Sequence, residues 1–157
     1  MTQYVSVEGN EGVITMTLNS QRKLNALNKE TWEQLDQSIK KLVGNEEVRC
    51  LVLRGPDSNA FAAGADISEF ETVRADSSKA KAYGDLVTET VLAIADCRFP
   101  TIALVHGVCI GGGLEIAAAC DLRFCSESSR FGIPINRLGL VMGYTCLLYT
   151  SDAADER

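Results

Sequence analysis

The sequence predicts an α/β protein in which strands and helices alternate after an opening β-hairpin and the later strands pair largely in parallel. Three observations predict it. β-rich runs and helical apolar stripes follow one another in the order β-β-α-β-α-β-α-β. A length of 157 residues suits one domain with a real core. Apolar residues make up 46% and charged residues 23%, which fits a globular chain better than a disordered, collagenous or disulfide-scaffold one.

Alternation in Tyr4-Val5-Ser6-Val7-Glu8, a turn at Gly9-Asn10-Glu11-Gly12, and the run Val13 to Leu18 read as the hairpin. Asn28 is placed to cap a helix over 29–43. Leu27 and Trp32 stand at staple spacing across that cap, and Trp32, Leu35, Ile39 and Leu42 form one stripe before Gly44. Val48 to Leu53 reads as a strand ending at Arg54-Gly55-Pro56-Asp57, and Thr101 to Val105 as another, entered through Pro100. Between them Tyr83, Leu86, Val87, Val91 and Ile94 repeat at helical spacing, while Glu71 to Lys81 reads as a charged, mobile surface segment. Leu114 to Cys120 is helical in composition, and Leu122 to Cys125 returns to strand.

Composition excludes several functions. Fifteen Lys and Arg against 21 Asp and Glu give a net charge of -6, which opposes nonspecific attraction to nucleic acid or anionic membranes. Six cysteines without a CxxC pair, and one histidine, His106, argue against a zinc site; no metal is expected. His106 itself reads as structural. Most of the cysteines lie in apolar runs as small buried hydrophobes, and the first residues carry no signal-peptide pattern, so the expected location is the cytoplasm. Thr101 to Cys120 has the length of a membrane span, but His106, Glu115 and four glycines make a strand, turn and helix the better reading.

Two glycine-containing segments stand out, each placed downstream of an expected strand: Ala60-Phe61-Ala62-Ala63-Gly64-Ala65-Asp66-Ile67 and His106-Gly107-Val108-Cys109-Ile110-Gly111-Gly112-Gly113-Leu114-Glu115. Loops at the carboxyl ends of neighbouring parallel strands lie side by side in the crevice where α/β proteins bind ligands. Small residues leave their backbone N–H groups uncovered. Gly111 to Gly113 also open a helix, whose first N–H groups and dipole favour negative charge. The glycines either only turn the chain and allow close packing, or they also stabilise an anion or a developing oxyanion. Neither segment has the spacing of a phosphate loop or a dinucleotide fingerprint, which weakens nucleotide hydrolysis and hydride transfer as functions. Glu115 lies two residues past the last glycine among Leu114, Ile116, Ala117, Ala118 and Ala119. It is either a solvent-facing helix glutamate or a carboxyl whose apolar surroundings raise its pKa and suit it to proton transfer.

The segments AFAAGADISEF (60–70) and VHGVCIGGGLEIAAACD (105–121) resemble the crotonase, or enoyl-CoA hydratase/isomerase, superfamily. Leu18-Asn19 through Lys23-Leu24-Asn25-Ala26-Leu27, and Arg130-Phe131-Gly132-Ile133-Pro134 through Leu138-Gly139-Leu140, are similar to two further stretches of it, so the resemblance covers about residues 4–145. It implies a crotonase-like ββα spiral, truncated at the C-terminus, and an acyl-CoA thioester as substrate, with coenzyme A part of that substrate and no separate cofactor. Carried over, it assigns the oxyanion hole to the N–H groups of Ala65 and Gly112 and general acid/base work to Glu115. Ala63, Ala65 and Ile67 would line the CoA adenine end, Arg22 and Lys23 would lie near the CoA phosphates if they are not simply surface charges, and Asp66 would shape the loop or cap the turn after it. The expected assembly is a homotrimer or hexamer.

Two departures stand beside the resemblance. Where hydratases of the family carry a second glutamate, this chain has Ile135, with Asn136 next to it. Isoleucine can neither orient water nor take its proton, so isomerases and malonyl-type decarboxylases, which lack this carboxylate, become alternatives to a hydratase, alongside a noncatalytic acyl-CoA-binding or RNA-binding relative. Acidic net charge argues against RNA. Second, residues 1–145 read as the N-terminal spiral core, whereas 146–157 match nothing in the family and read as a non-native or frameshifted tail. The expected result is uncovered apolar surface and an inactive fragment.

Overall fold

The computed structural model describes residues 2–134. Strand β1 (Val5–Asn10) pairs antiparallel with β2 (Val13–Leu18) across a two-residue turn. Glu11 and Gly12 both have positive φ, 51° and 84°, the conformation that matches the twist of a tight hairpin. β3 (Cys50–Arg54), β5 (Thr101–Val105) and β7 (Leu122–Cys125) continue the sheet in parallel, in the order β1-β2-β3-β5-β7. A second parallel sheet holds β4 (Ala60–Ala62), β6 (Val108–Ile110) and β8 (Arg130–Gly132), in the order β4-β6-β8. Each of its strands follows closely on a strand of the first sheet, so successive turns of chain wind past both.

Among the described residues, four α-helices accompany these sheets. α1 (Lys29–Val43) has the expected bounds, and the Asn28 side chain accepts from the Thr31 N–H at its start. α3 (Ser77–Ala95) packs on α1, and α4 (Gly112–Ala119) packs on α3, β4, β5 and β6. Met16, Leu18, Leu35, Ile39, Leu51, Leu53 and Ile94 are completely buried between the large sheet and its helices. The Asp121 carboxylate accepts from the Thr101 N–H and hydroxyl at 2.8 and 2.9 Å, tying the end of α4 to the start of β5.

Two expectations are corrected. Residues 71–81 are not an irregular mobile segment. They contain α2 (Phe70–Val73) and the first turns of α3, which Asp76 caps by accepting from the Lys79 N–H. The charge of that stretch marks the solvent face of a helix. β4, β6 and β8 were not expected, and the two glycine segments therefore begin with strands of their own. The thiols follow the expected pattern in part. Cys109 and Cys120 are buried, and burial pushes each up to about 12; Cys97 is half-buried and raised to about 11, again chiefly by burial; Cys125 is exposed. Among the described residues no disulfide and no metal-binding cluster occurs, and no helix is long and apolar enough to cross a membrane.

Candidate active site

Three stretches of chain meet beside the second sheet. The first follows β2. Asn25 is 5% exposed and left-handed at φ 56°, a region asparagine tolerates better than most residues. Its Nδ2 donates to Leu18 O at 3.0 Å and Phe61 O at 2.6 Å, while its Oδ1 accepts from the Ser20 N–H at 2.8 Å and the Ser20 hydroxyl at 3.1 Å. One buried amide thus ties the end of β2 to β4.

The second stretch, residues 63–66, runs alongside the first. Ala63 N–H donates to Leu24 O at 3.1 Å, Leu27 N–H to Gly64 O at 2.7 Å, and Asp66 N–H to Leu27 O at 2.8 Å. These bonds make Leu27 and Ala65 a parallel bridge. In that pattern Leu27 bonds the residues on either side of Ala65, so the N–H of Ala65 itself faces away from this pairing. Gly64 has φ 90°, which only glycine adopts readily. Asp66 accepts from Ser68 N–H at 3.0 Å to cap a 3-10 turn over Ile67–Glu69, and its other oxygen pairs with Arg22 Nε at 3.3 Å. Arg22 is half exposed, Lys23 and Ile67 are exposed, and Ala63 and Ala65 are half-buried.

The third stretch turns from β6 into α4. Gly111, at φ 52°, donates its N–H to Gly132 O at 2.9 Å and accepts from the Glu115 N–H at 3.0 Å. Gly112 begins the helix, so its N–H has no carbonyl to meet within it. Space around these glycines is closed. A Cβ on Gly64 would lie 3.1 Å from Ile110 O and 3.5 Å from Gly112 N, and one on Gly111 would lie 3.6 Å from Gly64 Cα. The loops carrying Ala65 and Gly112 are therefore in direct backbone contact. Glu115 is half-buried and stands three residues beyond Gly112, on the same face of α4 one turn on.

Trp32 of α1 supports this junction. A Cβ on Gly112 would meet Trp32 Cζ2 at 2.8 Å. Gly112→Ala is expected to lower stability by about 1–3 kcal/mol through overpacking. A thermal melt of the double variant with Trp32→Phe should recover most of that loss, because the two positions share one contact.

Sequence reasoning missed Asn25 as an anchor, Trp32 as the floor of the junction, and the pair Arg74 and Tyr83 beside it. A helix stripe containing Trp32 marks it as buried but not as a neighbour of glycine. A cavity of about 420 Å3 opens between residues 19–25 and the β3–β4 connection, lined by Asn19, Gln21, Arg22, Asp57 and Asn59 among others. It takes in Arg22 but not Ala65, Gly112 or Glu115. His106 is exposed at the end of β5. Ile135, Asn136, Leu138 to Leu140 and the stretch 146–157 lie outside the described residues.

A family model described as enoyl-CoA hydratase/isomerase matches residues 8–153. The short-chain-enoyl-CoA hydratase of Clostridium acetobutylicum is 35% identical over 140 residues, covering 89% of this chain and 53% of its own length. The mitochondrial methylglutaconyl-CoA hydratase of Mus musculus is 31% identical over 136 residues, 87% of this chain and 43% of its own. The crystal structure of an enoyl-CoA hydratase/carnithine racemase from Magnetospirillum magneticum matches with a TM-score of 0.90 at 36% identity, over 96% of this chain and 56% of that one. The chain thus spans about half the length of the relatives it matches. The family match, the sequence identities and the backbone agreement lead to one conclusion: this chain has the crotonase fold and belongs to the enoyl-CoA hydratase/isomerase family.

Proposed function

We propose that this protein acts on an acyl-CoA thioester, holding the thioester oxygen between the N–H groups of Ala65 and Gly112 as it gains enolate charge. The observation that carries the reading is the backbone contact of Gly64 with Gly111 and Gly112, beside one N–H turned away from its ladder and one orphaned at a helix start. Donors of this kind are fixed before the reaction begins, and each commonly contributes roughly 3 to 4 kcal/mol to the transition state. The partial positive charge of the α4 N-terminus adds to them. Ala63, Ala65 and Ile67 border the CoA adenine in this reading, with Arg22 and Lys23 toward the phosphates. The Arg22–Asp66 pair holds the two bordering loops together.

Glu115 moves the proton. In isomerisation one carboxylate suffices: it removes a proton from C2 of a 3-enoyl thioester and returns it to C4, leaving the double bond between C2 and C3. In hydration the hydroxyl of water adds to C3 and a proton to C2, which calls for a second group to hold the water. Ile135 stands where hydratases of the family place that group, which favours isomerisation or, as a second reading, decarboxylation of a malonyl-type thioester, where carbon dioxide leaves and the same oxyanion hole holds the enolate. Incubation of the chain, extended to the length of its relatives, with crotonyl-CoA, a 3-enoyl-CoA and methylmalonyl-CoA, followed by mass and absorbance, separates the readings. Gain of water marks hydration, a conjugated thioester at unchanged mass marks isomerisation, and loss of carbon dioxide marks decarboxylation. Failure to bind any of the three rejects the proposal.

A further inference from the structure

Beside the glycine junction lies a cationic group that the chemistry above does not use. Arg74 follows α2 and is half-buried, with its guanidinium carbon 4.2 Å from the centre of the Phe70 ring and 4.7 Å from that of Tyr83. Stacked between two rings, it forms no ion pair among the described residues. Its Nε is buried without a hydrogen-bond partner. So is Trp32 Nε1, on a side chain 1% exposed, and so is Nδ2 of Asn28, one helical turn before it. Buried donors left in this state cost stability unless something accepts from them.

Tyr83 lies between two of these groups, against the Arg74 guanidinium and within the influence of the Trp32 N–H. Burial pushes the Tyr83 hydroxyl up to about 12, the Glu69 carboxylate adds to the rise, and the Arg74 charge and the N–H groups of Trp32 and Arg74 oppose it. Tyrosine therefore stays a neutral donor. The position of the group is set by Trp32, whose Cζ2 borders Gly112 and whose Nε1 is two bonds from Cζ2 on the same edge of the indole. Trp32 thus links the unpaired donors to the Gly112 end of the proposed oxyanion hole.

We infer that Arg74, Tyr83 and Trp32 form a subsite for a carboxylate at the far end of the acyl group, so that the preferred substrates are thioesters of dicarboxylic acids. The inference rests on the acyl-CoA reading above. A guanidinium whose carbon lies over two rings can still offer its outer N–H groups to a carboxylate, which accepts two N–H bonds in parallel and takes further bonds from the neighbouring donors. A purely apolar acyl group would leave the same donors unsatisfied, and that asymmetry is what discriminates.

The test is calorimetric, on the 157-residue chain, with two saturated thioesters that differ by the terminal carboxylate: butyryl-CoA and glutaryl-CoA. Glutaryl-CoA is expected to bind tighter by about 10- to 100-fold, the range of one or two charge-assisted bonds. Arg74→Leu should collapse that ratio to near one, Arg74→Lys should keep part of it, and Tyr83→Phe, which retains the ring stack, should lower it. Butyryl-CoA binding reports whether each variant is folded. Equal affinities in the unaltered chain, or a ratio that survives Arg74→Leu, overturn the inference and leave acyl-CoA binding standing. Absence of binding by both thioesters overturns the acyl-CoA reading itself, and this inference with it.

Discussion

Replacing Glu115 with glutamine, in the chain extended to the length of its relatives, is expected to lower turnover by at least about 100-fold, the range for loss of a positioned general acid/base, while acyl-CoA binding persists. Glutamine keeps the length and shape of the side chain, so the first turn of α4 and the Glu115 N–H bond to Gly111 O are retained. What it cannot do is accept and return a proton. The partial reaction isolates this step: exchange of the C2 protons of butyryl-CoA with deuterated water needs only the enolate and a base. It should fall in parallel with turnover. Persistence of exchange in Glu115→Gln would assign the proton to another group, and a matching loss of butyryl-CoA affinity would recast Glu115 as a binding residue.

Asn25→Ala is expected to destabilise the protein by about 3–4 kcal/mol, because Leu18 O, Phe61 O and Ser20 N–H lose their partner together and alanine is poorly suited to a φ of 56°. For a chain of this size that corresponds to roughly 10 °C in the melting temperature. Asn25→Gly separates the two causes, since glycine adopts the left-handed backbone freely and removes only the amide. Melts of both variants should place glycine nearer the unaltered protein. Loss of under 1 kcal/mol in Asn25→Ala would mean that neighbouring groups or water take over the three bonds.

α1 was legible to the residue because its signals are local: a capping asparagine, a staple and one apolar stripe. The strands of the large sheet were legible for the same reason, each being a continuous β-rich run. β4, β6 and β8 were not. Three residues are too few to show alternation, and Ala60-Phe61-Ala62 or Val108-Cys109-Ile110 read equally well as the start of a glycine loop. The start of α3 was hidden by exposed Ser and Lys side chains that carry no periodicity, although Asp76 was there to cap it. Within the candidate site, the glycine segments were visible from composition and the structure brings them together. Asn25 and Trp32 depend on residues distant in the chain, the contact of Arg74 with Tyr83 spans the break between α2 and α3, and nothing in their own neighbourhoods announces those contacts.

That same distance governs how the protein comes into being. Leu27 pairs beside Ala65, and Gly64 rests on Gly111 and Gly112, so the junction is assembled from three separate passes of the spiral. Contacts between remote segments form only after the loops between them have closed, which slows folding and orders it. The hairpin and α1 can take shape while the chain is still being synthesised, but the glycine junction does not exist until the turn into α4 has emerged. A nascent chain arrested before Gly112 would therefore carry folded secondary structure without affinity for ligand, and the appearance of binding would time the closing of that junction.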